Sequence, residues 1–450
     1  MRRPFKKLLI ANRGEIALRI IRACKELDIP TVAIFSQADR NALHVRFADE
    51  AVCVGPAPAV GSYLNMPAVL SAAQITGADA IHPGYGFLAE NARFAEKVGR
   101  MGITFVGPSV EHLHTFGDKL SAKEAARTAG LPLLGGSTGA IDSVEDAMRV
   151  ADATGYPVIL KAAGGGGGKG MRVVEDEEAL LRVFDVAQAE SLAAFGSKDV
   201  FIEKYLRKPR HVEVQVAGDG RGGGIHVGTR DCSMQRRHQK IIEEAPAPFL
   251  SDSLRSRIEE AASSLIRSVG YRTVATCEFL VEGEGFYFLE VNPRIQVEHP
   301  ATEEVYGVDL IQEQIRLAAG EDLSIEQSAI VAQGHAIEIR VNAEDPRTFL
   351  PSPGLITGYH EPGGPGVRID SAVHEHAIVQ PFYDSLAAKL IVRGRDREHA
   401  IRRVLHAIDE FVVEGIKTTL PLQRELLCTP EFQEGRHYTR FVDEWLASRV

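Results

Sequence analysis

Positive charge is scarce in this sequence: 51 lysines and arginines stand against 61 aspartates and glutamates, a formal net charge of −10 over 450 residues. That balance argues against a general binder of nucleic acid or acidic membranes, and any anionic ligand must be held by a local cluster of cations. Cysteine is scarce as well. The five (Cys24, Cys53, Cys232, Cys277 and Cys428) are scattered, odd in number and without a C-x-x-C pair. They fit a reducing compartment rather than a disulfide framework or a zinc site. Long apolar runs are missing: after the basic start Met1-Arg2-Arg3-Pro4, only residues 8–11 are continuously apolar before Asn12-Arg13. That is too short for a signal peptide, and no later run could cross a bilayer, so a cytoplasmic location is expected. No G-x-G-x-x-G follows the first strand-like run, which leaves a dinucleotide site with little support.

What is present suits a soluble globular protein, with 44% apolar and 25% charged residues. The length exceeds one ordinary core, so two or three domains are expected. Residues 1–115 alternate apolar runs with helical patterns, with candidate strands at 8–11, 31–35, 78–81 and 103–106; a doubly wound sheet follows. Residues 131–205 read as a small insert: a helical pattern over 144–153, a strand over 156–161, five glycines at 164–168 and a second strand over 171–174. From 206 to 330 the chain is β-rich, with helices expected over 253–268 and 310–317. The remainder is a Pro/Gly-punctuated β region ending in helices near 400–411 and 421–427.

Three segments carry candidate chemistry. The glycines 164–168 lie between strand-like runs and between Lys161 and Lys169. Without Cβ atoms their backbone N–H groups can approach phosphate oxygens closely. The run is not a Walker A loop, since Gly170 replaces the hydroxyl residue and no helix follows. It reads as a strand–loop–strand lid over a triphosphate, with a flexible linker as the plain alternative. Residues 276–281 and 286–292 read as a hairpin around Gly283-Glu284-Gly285. With those three as the loop, 282 pairs with 286, Glu278 faces Glu290, and Asn292 shares the face of Glu290. Facing carboxylates destabilise a ladder unless a cation lies between them, and this all-oxygen set suits Mg²⁺; a solvated polar face is the alternative.

The third segment, Asn292-Pro293-Arg294-Ile295-Gln296-Val297-Glu298-His299, puts Arg294, Gln296 and Glu298 on one side if extended. An arginine fork beside a carboxylate could hold an oxyanion and take its proton, or be a structural ion pair. Residues 230–240, RDCSMQRRHQK, are the densest positive stretch; a surface loop would look the same, and Cys232 reads as packing rather than nucleophile. Residues 336–342 alternate cleanly, with Glu338, Arg340 and Asn342 on the polar side, as a half-exposed strand would.

Taken together, these strings resemble the biotin carboxylase family of the ATP-grasp superfamily. The resemblance rests on IANRGEIALRI, HPGYGFLAEN, GDK at 117–119, GGGGGKGM, EKY at 203–205, RDCSMQRRHQK, EFL…FLEVNPRIQVEHP, NAEDP and FLPSPG, in order over residues 5–445. RDCSMQRRHQK and NPRIQVEHP are the specific ones. It implies an α/β (α+β) architecture: a Rossmann-like domain at 1–115, an ATP-grasp module at 116–330 with a mobile lid at 131–205, and a β-rich biotin carboxylase C-terminal domain at 331–450. By position, it implies that Lys119, Lys161, Gly167, Gly168, Glu203, Lys204, Tyr205, Leu206, His211, Gln235 and His238 contact ATP, together with Glu278 and Glu290. Glu278, Glu290 and Asn292 are implied ligands of Mg²⁺ or Mn²⁺. Lys240, Arg294 and the backbone of Val297 are implied to hold bicarbonate, with Glu298 as its general base and Arg340 at the biotin ureido oxygen. Lys169, where relatives often carry arginine, keeps the charge, and Pro293 occurs among related carboxylases.

The reaction so implied is ligation: ATP phosphorylates bicarbonate to carboxyphosphate, which yields CO₂ for N1′ of biotin. None of the six methionines adjoins a lysine, so the Met-Lys-Met attachment signature is missing. Biotin is therefore expected on a separate carrier protein and the carboxyltransferase on another chain, within an acetyl-CoA or other acyl-CoA carboxylase of fatty acid synthesis. A pyruvate-type carboxylase is the alternative setting. A homodimer is implied, and no nucleic acid or membrane partner. Two rivals remain, a different ATP-grasp ligase and a nucleotide-sensing protein without turnover.

Overall fold

A computed structural model describes residues 4–162 and 171–449. The N-terminal strands β1 (Leu8–Ile10), β2 (Thr31–Ser36), β3 (Glu50–Gly55), β4 (Ala80–His82) and β5 (Thr104–Phe105) form one parallel sheet, ordered β3-β2-β1-β4-β5. Its centre, β1, is apolar at every position because helices cover both faces of a parallel sheet. The doubly wound expectation holds. The strand β3 was not expected: it is an edge strand, buried only at Val54, although its apolar run at 51–54 is as long as that of β1. The turn after β1 leads into the helix Gly14–Glu26, whose apolar stripe packs beneath the sheet.

A small antiparallel sheet, β7-β6-β8, is built from β6 (Val158–Ala162), β7 (Met171–Val174) and β8 (Val200–Lys204). Residues 163–170 join β6 to β7 and lie outside the described residues, so the expected contacts of Gly167 and Gly168 lie there too. The helices Val144–Thr154 and Glu177–Phe195 cover this sheet and give it a core of its own.

The rest is organised by an eight-stranded sheet. Its strands are β9 (Arg210–Asp219), β10 (Gly224–Arg236), β11 (Gln239–Ala245), β12 (Arg272–Glu282), β13 (Gly285–Asn292), β14 (His335–Asn342), β17 (Val367–Ser371) and β19 (Leu386–Gly394). They run in the order β13-β12-β9-β10-β11-β14-β19-β17. Two short pairs complete the C-terminal region: β15 (Gly354–Leu355) with β18 (Ile378–Val379), and β16 (Gly358–His360) with β20 (Val412–Glu414). Because the sheet crosses from the ATP-grasp region into the C-terminal region, β11 and β14 join residues about a hundred positions apart. That continuity overturns one expectation. Strand β14 is not half-exposed: it lies between β11 and β19, and Glu338 is 0% exposed.

The hairpin of β12 and β13 also differs in detail. Glu282 pairs with Gly285 across a two-residue turn, not with Phe286. A bulge at Leu289 then adds one residue to β13, so Glu278 still lies opposite Glu290 and Thr276 opposite Asn292. A tighter turn and a bulge cancel, and the expected facing of the two carboxylates is kept.

Candidate active site

One face of the long sheet carries a row of polar side chains where the alternation of a strand would otherwise supply valines. On β9, His211, Glu213 and Gln215 alternate with Val212, Val214 and Val216, and all are buried. Glu278 of β12 lies directly across from Glu213, with Glu290 across from Glu278. On the other side of β9, Arg230 of β10 pairs with Glu213 because a bulge between His226 and Thr229 shifts the register by one residue. Gly228 in that bulge has φ +71°, and a Cβ there would fall 1.9 Å from Tyr306 Oη. Only glycine fits.

Arg230 is 0% exposed, and such a charge survives only if every donor is used. Its guanidinium donates to Glu213 at 3.1 Å, Gln215 at 2.8 Å, Thr302 at 2.9 Å, Thr276 at 3.1 Å and Gln296 at 2.8 Å. Gln296 in turn donates to Glu278 Oε1 at 2.8 Å, as does Asn292 at 2.8 Å. His211 Nε2 meets the other Glu278 oxygen at 2.9 Å, and Gln235 lies 3.4 Å from His211 Nδ1. Burial by itself raises the Glu278 carboxyl, but Lys240 and His211 outweigh it and hold it well below the usual range. Glu290 goes the other way, raised by burial and by the neighbouring Glu278 charge.

Lys240, on β11, is the hub. Its ammonium donates to Glu298 at 2.7 Å, to Glu278 at 3.1 Å and to Glu213. Burial would lower the Lys240 pKa; Glu213, Glu278 and Glu298 instead hold it well above the usual value. Glu298 is enclosed by cations, with Lys240 on one oxygen and Arg340 at 2.9 Å on the other. Burial pushes its carboxyl up, yet Lys240, Arg340 and Arg230 bring it far below the ordinary range. Arg340 also donates to Glu243 at 2.6 Å. Arg294 reaches Glu90 at 2.8 Å and Asn292 Oδ1 at 2.9 Å.

These groups converge on a cleft of about 520 Å³ whose walls include Lys240, Arg294, Val297, Glu298, Arg340 and His238. His238 and Arg237 form the two-residue turn of the β10–β11 hairpin, both at positive φ (+67° and +48°). A turn of that type usually takes glycine or asparagine, so the strain sits beside the cleft.

A second group lies on the small sheet. Lys161 and Lys123 both ion-pair with Glu203. Lys204 donates to the carbonyls of Gly155 and Tyr156 at 2.8 and 3.0 Å; Tyr205 faces Arg440, and Leu206 is buried. Lys119 opens the helix Lys119–Thr128, where its charge acts on Glu290.

Known proteins share this organisation. The family model for the "Biotin carboxylase, N-terminal domain" matches residues 4–113, that for the "Carbamoyl-phosphate synthase L chain, ATP binding domain" residues 118–326, and that for the "Biotin carboxylase C-terminal domain" residues 338–444. A biotin carboxylase of Pseudomonas aeruginosa is 54% identical over 442 residues, 98% of each chain. The chain belongs to the biotin carboxylase family. A pyruvate carboxylase subunit of Methanothermobacter thermautotrophicus is 50% identical, over 98% of this chain and 90% of that one. Among solved structures, the biotin carboxylase domain dimer of Hydrogenobacter thermophilus 2-oxoglutarate carboxylase, in complex with MgADP, ADP and bicarbonate, superposes with a TM-score of 0.89. It is 46% identical, over 98% of this chain and 97% of that one.

Biotin carboxylases are ATP-grasp ligases, and the activity of this chain is ATP-dependent carboxylation of biotin. The residues present fit a divalent cation with the nucleotide: Glu290 has an ionisation opposed by the carboxylate of Glu278, and a metal ion between them would relieve that conflict. Several site residues are not marked as such by the sequence. Glu213 has one visible signal, a pair of acidic and amide residues (Glu213 and Gln215) alternating with valines in a strand buried on both faces. Lys123 has none, since its role depends on Glu203, far along the chain. Arg230 stands out only as part of a basic stretch; it is a buried structural cation, not a surface charge.

Proposed function

We propose that this chain performs the first half-reaction of a multi-subunit carboxylase, acting on biotin carried by a separate protein. The observation that carries the reading is Glu298, held between Lys240 at 2.7 Å and Arg340 at 2.9 Å on the wall of a cleft shared with Arg294 and Val297. Lys240, Arg294 and the Val297 backbone hold bicarbonate, and Glu298 takes its proton as a bicarbonate oxygen attacks the γ-phosphorus of ATP. ADP leaves, and carboxyphosphate then breaks its C–O bond to give CO₂ and phosphate. The phosphate accepts the N1′ proton of biotin, and the new N–C bond forms while Arg340 steadies the charge on the ureido oxygen. A metal ion held by Glu278, Glu290 and Asn292 supplies charge neutralisation at the phosphates. Lys119, Lys161, Glu203, Lys204, Tyr205, Leu206, His211, Gln235 and His238 line the nucleotide's side, with Gly167 and Gly168 as its cover.

The resting charge pattern adds a requirement. Glu298 is too strongly held by cations to be a good base. When bicarbonate draws Lys240 away and biotin draws Arg340 away, the carboxyl loses the two charges that depress it and its basicity rises. Both substrates thus help activate the base that deprotonates bicarbonate.

In this reading the domains divide at 1–115, 116–330 and 331–450, with 131–205 as the lid, and the chain works as a homodimer in the cytoplasm. Its similarity both to biotin carboxylases and to a pyruvate carboxylase component leaves the choice of acceptor, acetyl-CoA or another, to the partner enzyme. The test is ADP release from the purified chain with MgATP, with and without bicarbonate and free biotin, beside Arg340→Ala. Bicarbonate-dependent release that rises with biotin, and an Arg340→Ala variant that has lost the biotin response, are expected. Turnover indifferent to both substrates would overturn the assignment.

A further inference from the structure

Behind Arg340 lie two acids that nothing in the reaction uses. Glu338 of β14 is 0% exposed, and neither of its carboxyl oxygens meets a donor among the described residues. Directly across the ladder is Glu243 of β11, also 0% exposed. Glu243 gives Oε1 to Arg340 Nε at 2.6 Å, and its Oε2 has no partner among the described residues. Side chains opposite one another on adjacent antiparallel strands are close neighbours. Two ionised carboxylates in that position, dry and short of donors, would repel, and the charges of Lys389 and Arg340 offset that only in part.

The charges facing the pair do not supply the missing donor. On β19, Lys389 lies opposite Arg340, but its ammonium donates to the Val297 carbonyl at 2.8 Å and lies 3.3 Å from Glu15 and 4.0 Å from Asp370. Lys240 is occupied by Glu213, Glu278 and Glu298. Glu298 adds a further negative charge, and Cys232 of β10 is a buried thiol. On the β19 side, Glu338 pairs with Ile391, which is apolar.

We infer that Glu338 is a neutral carboxylic acid whose O–H is donated to the free oxygen of Glu243, so that the pair shares one proton and turns its single negative charge toward Arg340. One proton satisfies both orphaned groups at once. The electrostatic environment agrees: burial, with nearby acids, holds Glu338 well above the usual carboxylate range and pushes Glu243 up to about 7. In such a pair the proton belongs to both acids. Glu338 is thereby a positioning residue: it fixes Glu243, which fixes the Nε side of Arg340 while Glu298 holds the Nη2 side. The shared proton stands whatever the chain catalyses; its effect on biotin rests on the functional reading above.

The test has two arms on the intact protein near pH 7. Infrared difference spectra of the resting protein against Glu338→Gln and Glu338→Leu should show a protonated-acid carbonyl band present in the native chain and lost in both variants. Absence of that band would mean Glu338 is ionised and would overturn the inference. In the kinetic arm, the amide introduced by Glu338→Gln can still donate to Glu243, so the KM for free biotin should stay near the native value. Leucine cannot donate; Glu243 then takes up a proton itself, Arg340 loses its anion, and the KM for biotin should rise about tenfold or more. Bicarbonate-dependent ADP release without biotin should be unchanged in both. Equal effects of glutamine and leucine would overturn the positioning role. If the native chain itself ignores biotin, the functional reading fails while the infrared band still upholds the shared proton.

Discussion

At the scale of single residues, the site is a problem in charge neutralisation. Arg230 and Glu213 are both without exposure, and Lys240 sits among three carboxylates, so each group is tolerated only because its partners are in place. Replacing Arg230 by methionine takes the donor from Glu213 Oε2, Gln215 and Gln296 and leaves Glu213 to Lys240. Such a change should cost about 3–5 kcal/mol, as breaking a buried pair does. Denaturant unfolding would read that loss, and the double change Arg230→Met with Glu213→Gln should recover part of it. Glu298→Gln acts differently. It keeps the shape and removes the proposed proton acceptor, so bicarbonate-dependent ADP release should fall by roughly 10²–10⁴-fold, with a loss of stability as well, because Lys240 and Arg340 lose their shared anion. A variant that kept its bicarbonate-dependent rate would rule out Glu298 as the base.

At the scale of elements, two bulges do the placing. The bulge at Leu289 brings Glu290 opposite Glu278, and the one after His226 brings Arg230 opposite Glu213. A one-residue slip in either strand would turn its polar residues to the opposite face. Gly228→Ala tests this directly. The added methyl meets both a positive φ and the Tyr306 ring, so a loss of about 2 kcal/mol or more is expected in thermal unfolding. Because the strain sits two residues from Arg230, ATP affinity should fall as well, which titration calorimetry would detect.

At the scale of the whole molecule, the C-terminal region is bound to the long sheet by buried charge. Arg397 donates to Glu244 at 2.7 and 3.0 Å, His335 meets it at 2.9 Å, and His437 lies 3.2 Å from Asp231. Burial would raise the Glu244 carboxyl, but His335 and Arg397 bring it down to about 2. A lowered folded-state pKa contributes stability that is present above about pH 4.5 and is lost as the pH falls toward 2. For Glu244 the contribution is on the order of 3 kcal/mol. The melting temperature should therefore drop steeply below about pH 4.5, and Glu244→Gln should flatten that slope. Glu259 works in the opposite sense: burial pushes it up to about 7, so stability is lost as the pH rises from about 4.5 to about 7.

Local chemistry determined much of this protein before any folding was considered. The apolar runs fixed the parallel sheet at residues 8–10, 31–36 and 80–82, and the glycines and period-two alternation marked the β12–β13 hairpin with Glu278 facing Glu290, because each depends only on residues near in sequence. The tertiary structure decided the rest. The burial of Glu338, the partnership of Lys123 with Glu203, and the enclosure of Glu298 by Lys240 and Arg340 arise between strands and segments far apart in the chain. Bulges, which reset the period of two, leave no mark in the alternation they interrupt, and whether a polar residue faces water or another charge depends on which strand lies beside it.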